Sequence, residues 1–412
     1  MKDTRSWQGN VALLPVALGT AVYLFCGVAV AVLASTSLTA DNYVNYVSFV
    51  SVGGIFVLGV GTAIEQETNL VYLRFHGEAR SIWRFMIPRI GVLLAFLWLA
   101  ILLPIGSWQE KLFGDLQSVV KISVILGTPG LFFTCVARGI TNGQADFRRL
   151  GKAHAIYGVC SVLVPIVLRI SGTSLASALI IGQAIAWSAP MLILVRSLGT
   201  KKIESFVKVS SPPHLSGWLV AANIALLSNL LSSQVIFRVQ GEALPAEVIA
   251  EAQILIMVSC FAASLTLSFM PQLIAAHRKT SNLRTNRESS LERIFLLSAT
   301  FLPLGTAVFR RPISQTLLPT ESNIPFIESL FICTPAWFLV VAILFSARSI
   351  SHEKVKSTAI IWLVGLASLW SLPLVMNSSS VRSLSVSLFF GATVPALIFL
   401  IVSFRSKRDS RG

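Results

Sequence analysis

Apolar residues run through this chain in blocks of roughly 18 or more, and short polar, mostly basic segments separate them from one end to the other. Blocks of that length cross a hydrocarbon core about 30 Å thick when wound as helices. Twelve such spans are predicted: Leu13 to Leu33, Tyr43 to Ile64, Ile90 to Gly106, Val119 to Ala137, Ala153 to Leu168, Leu175 to Val195, Leu215 to Phe237, Val248 to Leu273, Ile294 to Phe309, Phe326 to Ala347, Thr358 to Met376 and Leu384 to Phe404. The pattern therefore predicts an all-α, polytopic membrane protein.

The segment RSLGTKKIESFVKVSSPPH, Arg196 to His214, is polar, basic and ends in a proline pair, and it divides the spans six and six. This gives an N-terminal six-helix lobe over 1–196, a cytoplasmic connecting loop over 197–214, a C-terminal six-helix lobe over 215–404 and a basic tail over 405–412. In each half the longest cytoplasmic loop follows the second span. Because six is even, both halves start on the same side of the membrane, the arrangement of parallel repeats related by an axis along the membrane normal.

Composition agrees with the pattern: 54% of the residues are hydrophobic and 12% charged, against about 25% charged in an average soluble domain. The net charge of +15 would suit a nucleic-acid partner if it were pooled on one surface. It is not pooled. With the N-terminus in the cytoplasm, the inside segments hold 26 of the 33 Lys and Arg and the outside segments hold 7. Basic loops of this kind set topology and meet anionic lipid head groups, so membrane lipids are the predicted partner of the charge and nucleic acid is not. Both termini are placed in the cytoplasm of a multi-pass plasma-membrane protein. The first apolar stretch, Val11 to Ala34, is longer than the roughly 7–15 residues of a cleaved signal core, and it reads as the first span.

Several kinds of chemistry find no residues to carry them. Cys26, Cys135, Cys160, Cys260 and Cys333 are scattered inside spans and imply neither a disulfide framework nor a metal site. His76, His154, His214, His277 and His352 fall in or beside inside segments and read as loop histidines. No Walker sequence or glycine-rich nucleotide fingerprint occurs, and the longest outside loop, about Arg310 to Pro325, carries Glu321 as its one carboxylate. No catalytic residue, metal ligand or cofactor is predicted, and a carrier whose work is binding and conformational exchange remains. Proline lies in or at the ends of nine spans, where kinks are expected. In LGTPGL, Gly127 and Gly130 flank Pro129 closely and mark the fourth span as the candidate hinge at Pro129 and Gly130.

The stretch GVGTAIEQETNL places Glu65 and Glu67 just after the second apolar block. Read as a helix end, that position opposes a negative charge through the backbone dipole. Two residues apart, the carboxylates point roughly 200° from each other, so one can face the protein while the other faces head groups or water. Two readings stand: both are the solvated end of a helix, or one anchors a base on a neighbouring helix. By depth the matching base is Arg138, at the cytoplasmic end of the fourth span.

Taken with ARGITNGQADFRRLGKAHAIYG after the fourth span, these residues resemble the polysaccharide-biosynthesis, or oligosaccharide-lipid flippase, branch of the multidrug/oligosaccharidyl-lipid/polysaccharide (MOP) superfamily. The resemblance rests on Glu65, Gln66 and Glu67, then Arg138, Gly139, Gly143 and Phe147, and it covers mainly residues 10 to 200. It implies about twelve helices in two six-helix lobes around a central cavity. It also implies a non-enzymatic flippase that moves a polyprenyl-diphosphate-linked oligosaccharide across the bacterial inner membrane by alternating access, beside polysaccharide polymerase or glycosyltransferase partners. A drug or metabolite antiporter of the same fold and a transport-inactive scaffold for polysaccharide enzymes are the alternatives. Mid-membrane carboxylates of the kind used by cation-coupled exporters are not evident, since Glu251 and Glu328 lie about a turn inside the outer face. The outer-side bases Lys121, Arg169 and Arg238 end three different spans, and they either snorkel to the interface or line the outward mouth, where they would hold substrate oxyanions.

The topology has a direct test. In a Cys-free background, single cysteines at Ser37 and Ser379 are expected to react with an impermeant thiol reagent added outside, and one at Ser281 is expected not to; the reverse pattern would overturn the orientation.

Overall fold

A computed structural model describes residues 4–75, 79–102, 108–144, 146–195, 217–240, 244–270, 273–274, 286–317, 324–351, 354–375 and 380–409. Every regular element among these is helical, as hydrocarbon requires: a helix bonds its own N–H and C=O groups, and nothing else in the bilayer core can.

By contacts the chain forms two compact units, 1–38 with 56–216 and 39–55 with 217–412. The first holds α1 (Thr4–Ser37), α3 (Gly59–Phe75), α4 (Ala79–Leu102), the short α5 (Trp108–Phe113), α6 (Gln117–Gly143), α7 (Phe147–Ile170), α8 (Leu175–Ser188) and the single turn α9 (Met191–Leu194). The second holds α2 (Ala40–Gly53), α10 (Gly217–Gln240), α11 (Ala246–Ser259), α12 (Phe261–Ser268), α13 (Asn286–Val308), α14 (Arg310–Leu317), α15 (Phe326–Cys333), α16 (Pro335–Ser351), α17 (Val355–Val375) and α18 (Val381–Asp409). The expected division into 1–196 and 215–404 left the whole second span in the first half. Residues 39–55 instead pack on α10 and α11 and belong to the second unit. The span changes unit at a π-helical turn, Gly54–Leu58. The connecting loop expected over 197–214 lies outside the described residues.

Among the described residues nine helices are long and apolar enough to cross a membrane, or eleven when each of two bent pairs counts as one span; Gly217–Leu231 is a shorter apolar segment. One bent pair is α11 with α12, turned by 45° at Cys260, and the other is α13 with α14, turned by 75°. The second bend alters the expected outside loop from Arg310, whose first part is helical. The fourth helix also begins earlier than its apolar run, so that Arg80, Arg84 and Arg89 lie on α4 and not in a loop.

Small residues let the helices of the first unit approach closely. A Cβ on Gly19 would lie 2.0 Å from the Gly151 carbonyl oxygen, and one on Gly151 would lie 2.0 Å from that of Pro15, so α1 and α7 meet backbone to backbone. Polar side chains cap the helices that follow tight turns: Asp146 accepts from the Arg149 N–H at 3.2 Å to start α7, and Ser174 accepts from the Ser177 N–H at 3.3 Å to start α8. In the second unit, Asn229 on α10 donates to the carbonyls of Ala225 at 2.7 Å and Trp362 at 3.0 Å, which ties α10 to α17. The Trp362 indole in turn donates to the Ser346 hydroxyl on α16 at 3.2 Å.

The α1–α7 contact yields a paired prediction. Gly151→Val sets a side chain against backbone that has no rotamer to yield, and overpacking of this kind costs about 1–3 kcal/mol or more. Its melting midpoint in detergent is expected to fall by several degrees, while Gly27→Ala, with nothing within 4 Å of the added Cβ, is expected to melt as the parent does.

Candidate functional site

The helix that carries the acidic motif does not stop there. Thr68, Asn69, Val71 and Tyr72 follow in buried positions, the Thr68 hydroxyl donates to the Ile64 carbonyl at 2.7 Å, and α3 runs on to Phe75. The expectation that Glu65 and Glu67 sit at a helix end is therefore corrected. Polar residues ended the apolar run without ending the helix, and both carboxylates lie within it.

Glu65 is 3% exposed. Its Oε1 accepts from the Asn142 amide at 2.9 Å, and its Oε2 lies 3.2 Å from Nη2 of Arg138. Arg138 and Asn142 are four residues apart on α6 and so share one face of it. Backbone contact holds this register: a Cβ on Gly139 would lie 2.6 Å from the Glu65 carbonyl oxygen, and one on Gly143 would lie 2.3 Å from the Tyr72 ring. The two stretches quoted for the family resemblance thus interlock, with the glycines of one seated on the acidic helix of the other. Glu67 is also buried, at 8% exposed. The expectation that one carboxylate faces head groups or water therefore fails here, and the charge of Glu67 reaches Arg89 on α4. The Arg89 guanidinium donates to the Phe85 carbonyl at 2.8 Å and lies over the Phe85 ring, 3.4 Å from its centroid.

The Arg138 charge also reaches Tyr23, Cys135, Tyr157 and His154. His154, read from sequence as a loop histidine, is buried on α7 with Nδ1 2.9 Å from the Thr20 hydroxyl on α1. The apolar run beginning at Ala153 gave no sign that α7 starts at Phe147. The other four histidines lie outside the described residues.

Lys121 is half-buried near the start of α6. Arg169 is exposed and donates to the Thr173 carbonyl at 3.3 Å, folding over the end of its own helix. The side chain of Arg238 lies outside the described residues. At the candidate hinge, α6 is one unbroken α-helix through Pro129. A Cβ on Gly130 would lie 1.8 Å from the Ser188 hydroxyl, and one on Gly127 would lie 2.9 Å from both Ala184 and Trp187, so both glycines seat α6 against α8.

No family model and no curated protein matches this sequence. Solved structures do match. A MATE in complex with MaL6 aligns at a TM-score of 0.69 with 14% identity, over 98% of this chain and 96% of that one. The outward-facing conformation of a multidrug resistance MATE family transporter of the MOP superfamily aligns at 0.68 with 12% identity, over 97% and 96%. The MATE transporter ClbM in complex with Rb⁺ aligns at 0.63 with 12% identity, over 94% and 92%. The chain has the MATE transporter fold. These neighbours are transporters and not enzymes.

In this MATE fold the second unit holds a brace that the sequence reading missed. Arg348, near the end of α16, forks onto Glu292 of α13, with Nε donating to Oε1 at 3.2 Å and Nη2 to Oε2 at 2.5 Å. A signal was present. Ala137-Arg138-Gly139-Ile140-Thr141 and Ala347-Arg348-Ser349-Ile350-Ser351 match in pattern, and each closes the fourth span of its half. Both arginines meet a carboxylate of their own unit.

The Glu65–Arg138 pair can be weighed by a double-mutant cycle. Breaking one side of a buried pair costs about 3–5 kcal/mol, because the partner is left uncompensated. Glu65→Gln and Arg138→Gln are each expected to lower the melting midpoint strongly, and the double variant is expected to recover at least about 1 kcal/mol relative to the sum of the single losses. Strictly additive losses would mean that the pair is not coupled.

Proposed function

We propose that the chain is a MOP-superfamily carrier that moves a polyprenyl-diphosphate-linked oligosaccharide across the bacterial plasma membrane by alternating access, supplying surface polysaccharide biosynthesis. The observation that carries the reading is the interlock of the two flippase-like stretches, in which Gly139 and Gly143 are seated on the helix of Glu65 and Tyr72. The Glu65–Arg138 pair braces the cytoplasmic part of the first unit so that it moves as a body, and Pro129, which has no N–H to give its helix, together with Gly130 marks the place in α6 where a bend would form when that body moves. Both termini face the cytoplasm, following the basic-loop count. Lys121, Arg169 and Arg238, at the outer ends of three spans, are where a diphosphate leaving outward would first meet positive charge. Polymerase and glycosyltransferase partners would act on the substrate before and after its crossing.

A second reading, a drug or metabolite antiporter, draws on two observations. The solved neighbours include a multidrug resistance transporter, and the second unit buries Glu251, whose Oε1 accepts from the Ser314 hydroxyl of α14 at 3.0 Å. A buried carboxylate is what cation coupling would use.

A deletion strain separates the two. Lipid-linked oligosaccharide is expected to accumulate on the cytoplasmic leaflet, with surface polysaccharide reduced at least tenfold. Normal leaflet distribution with heightened drug sensitivity would give the chain to the antiporter reading.

A further inference from the structure

Inside the first unit, three polar side chains from three helices meet on a surface that neither the brace nor the packing accounts for. The Tyr23 ring of α1 and the Tyr157 ring of α7 lie 4.9 Å apart between centroids, tilted by 36°. The Gln183 amide of α8 donates to the Tyr157 hydroxyl at 2.6 Å. The charge of Arg138 reaches both phenols, and that charge is offset by Glu65.

Where these groups point is informative. On α1 the lipid-facing positions are Leu14, Leu18, Val22 and Phe25, and Tyr23 falls on the opposite side, in line with buried Val16, Thr20 and Val30. On α7 Tyr157 lies on the side of buried His154 and Ser161, away from exposed Val159, Leu163 and Ile166. Both rings are nevertheless only half-buried, as is Gln183. Half-buried aromatic and amide groups on the inward faces of membrane helices offer surface to something other than lipid tails. Phenols and an amide are also poor lipid contacts, since polar groups facing hydrocarbon go unsatisfied.

The chemistry of the surface selects a ligand. Apolar ring faces favour the C–H face of a pyranose, and phenol and amide groups both donate and accept, as sugar hydroxyls require. A diphosphate would want an unopposed cation, and the guanidinium beside this surface already has its carboxylate. We infer that Tyr23, Tyr157 and Gln183 form the wall on which a sugar ring of the amphiphile rests, leaving the anionic linkage to be held elsewhere. This rests on the saccharide reading under Proposed function and adds the part of the substrate recognised and the residues that recognise it.

The test uses the full chain in lipid nanodiscs and equilibrium binding of radiolabelled probes, with binding to empty nanodiscs subtracted. Octyl β-glucoside, octyl phosphate and octyltrimethylammonium share a tail and differ in head group, and free glucose has the sugar without the tail. Saturable octyl β-glucoside binding is expected, weakened about tenfold in both Tyr157→Leu and Gln183→Leu and less in Tyr157→Phe, which keeps the ring. Octyl phosphate binding is expected to be unchanged in all three. Melting curves identify any variant that fails to fold, and Gln183→Leu alone then decides. Glucoside binding undiminished in the folded variants, or octyl phosphate binding lost in parallel, overturns the wall while leaving the saccharide reading in place. Saturable binding of free glucose at the affinity of the glucoside overturns the assignment to an amphiphile. No saturable glucoside binding by the parent, with octyltrimethylammonium bound instead, overturns the saccharide reading and the wall with it.

Discussion

A charge held among helices in hydrocarbon has no water to turn to, and several kcal/mol depend on whether a counter-charge lies within reach. Glu65 meets this condition with one guanidinium and one amide, both supplied by consecutive turns of α6. Much of the first unit follows from holding that arrangement. Gly139 and Gly143 exist as glycines because α3 must come close enough for Glu65 to reach its partners. The Cβ of a residue on Gly61 would lie 2.9 Å from the sulfur of Cys135, so the approach continues above the charged pair. Packing and electrostatics here are one requirement: the helices are near because the ions must meet, and the ions are affordable because the helices are near.

The second unit solves the same problem with Glu292 and Arg348, in a fork that satisfies two carboxylate oxygens at once. The echo between the two arginine-bearing stretches is short, but each falls at the end of the fourth span of its half. Each unit thus carries an ion pair formed between its own helices alone.

The bilayer made the fold legible in the sequence. Blocks of about 18 apolar residues can be little else but helices, and the described residues hold no other regular element. Arg138 could be matched to Glu65 because depth along a span can be counted from residue positions. Hydropathy failed where polar residues are buried by other protein and not by water. It ended the second span at Ile64 although Gln66, Thr68 and Asn69 continue a buried helix. It placed Arg89 in a loop and His154 at a loop edge for the same reason. The tyrosine pair was out of reach altogether, since no periodicity in α1 or α7 reports which residues of two helices stack. Nor could a hydropathy trace assign residues 39–55 to the second unit, because a span looks the same whichever neighbours it packs against.

The π-helical turn at Gly54–Leu58 lies between the two parts of that divided span. A π-turn holds one more residue than the α-helical turn it replaces, so it works as a phase shifter. Every side chain beyond it is rotated by about 100° from where a plain α-helix would put it. Counted along the chain, the stripe that carries Glu65 is therefore out of phase with the stripe on which Tyr43 and Val47 are buried. Insertion and deletion of one residue, ordinarily a loop's way of varying, acts here as a steering element inside the membrane.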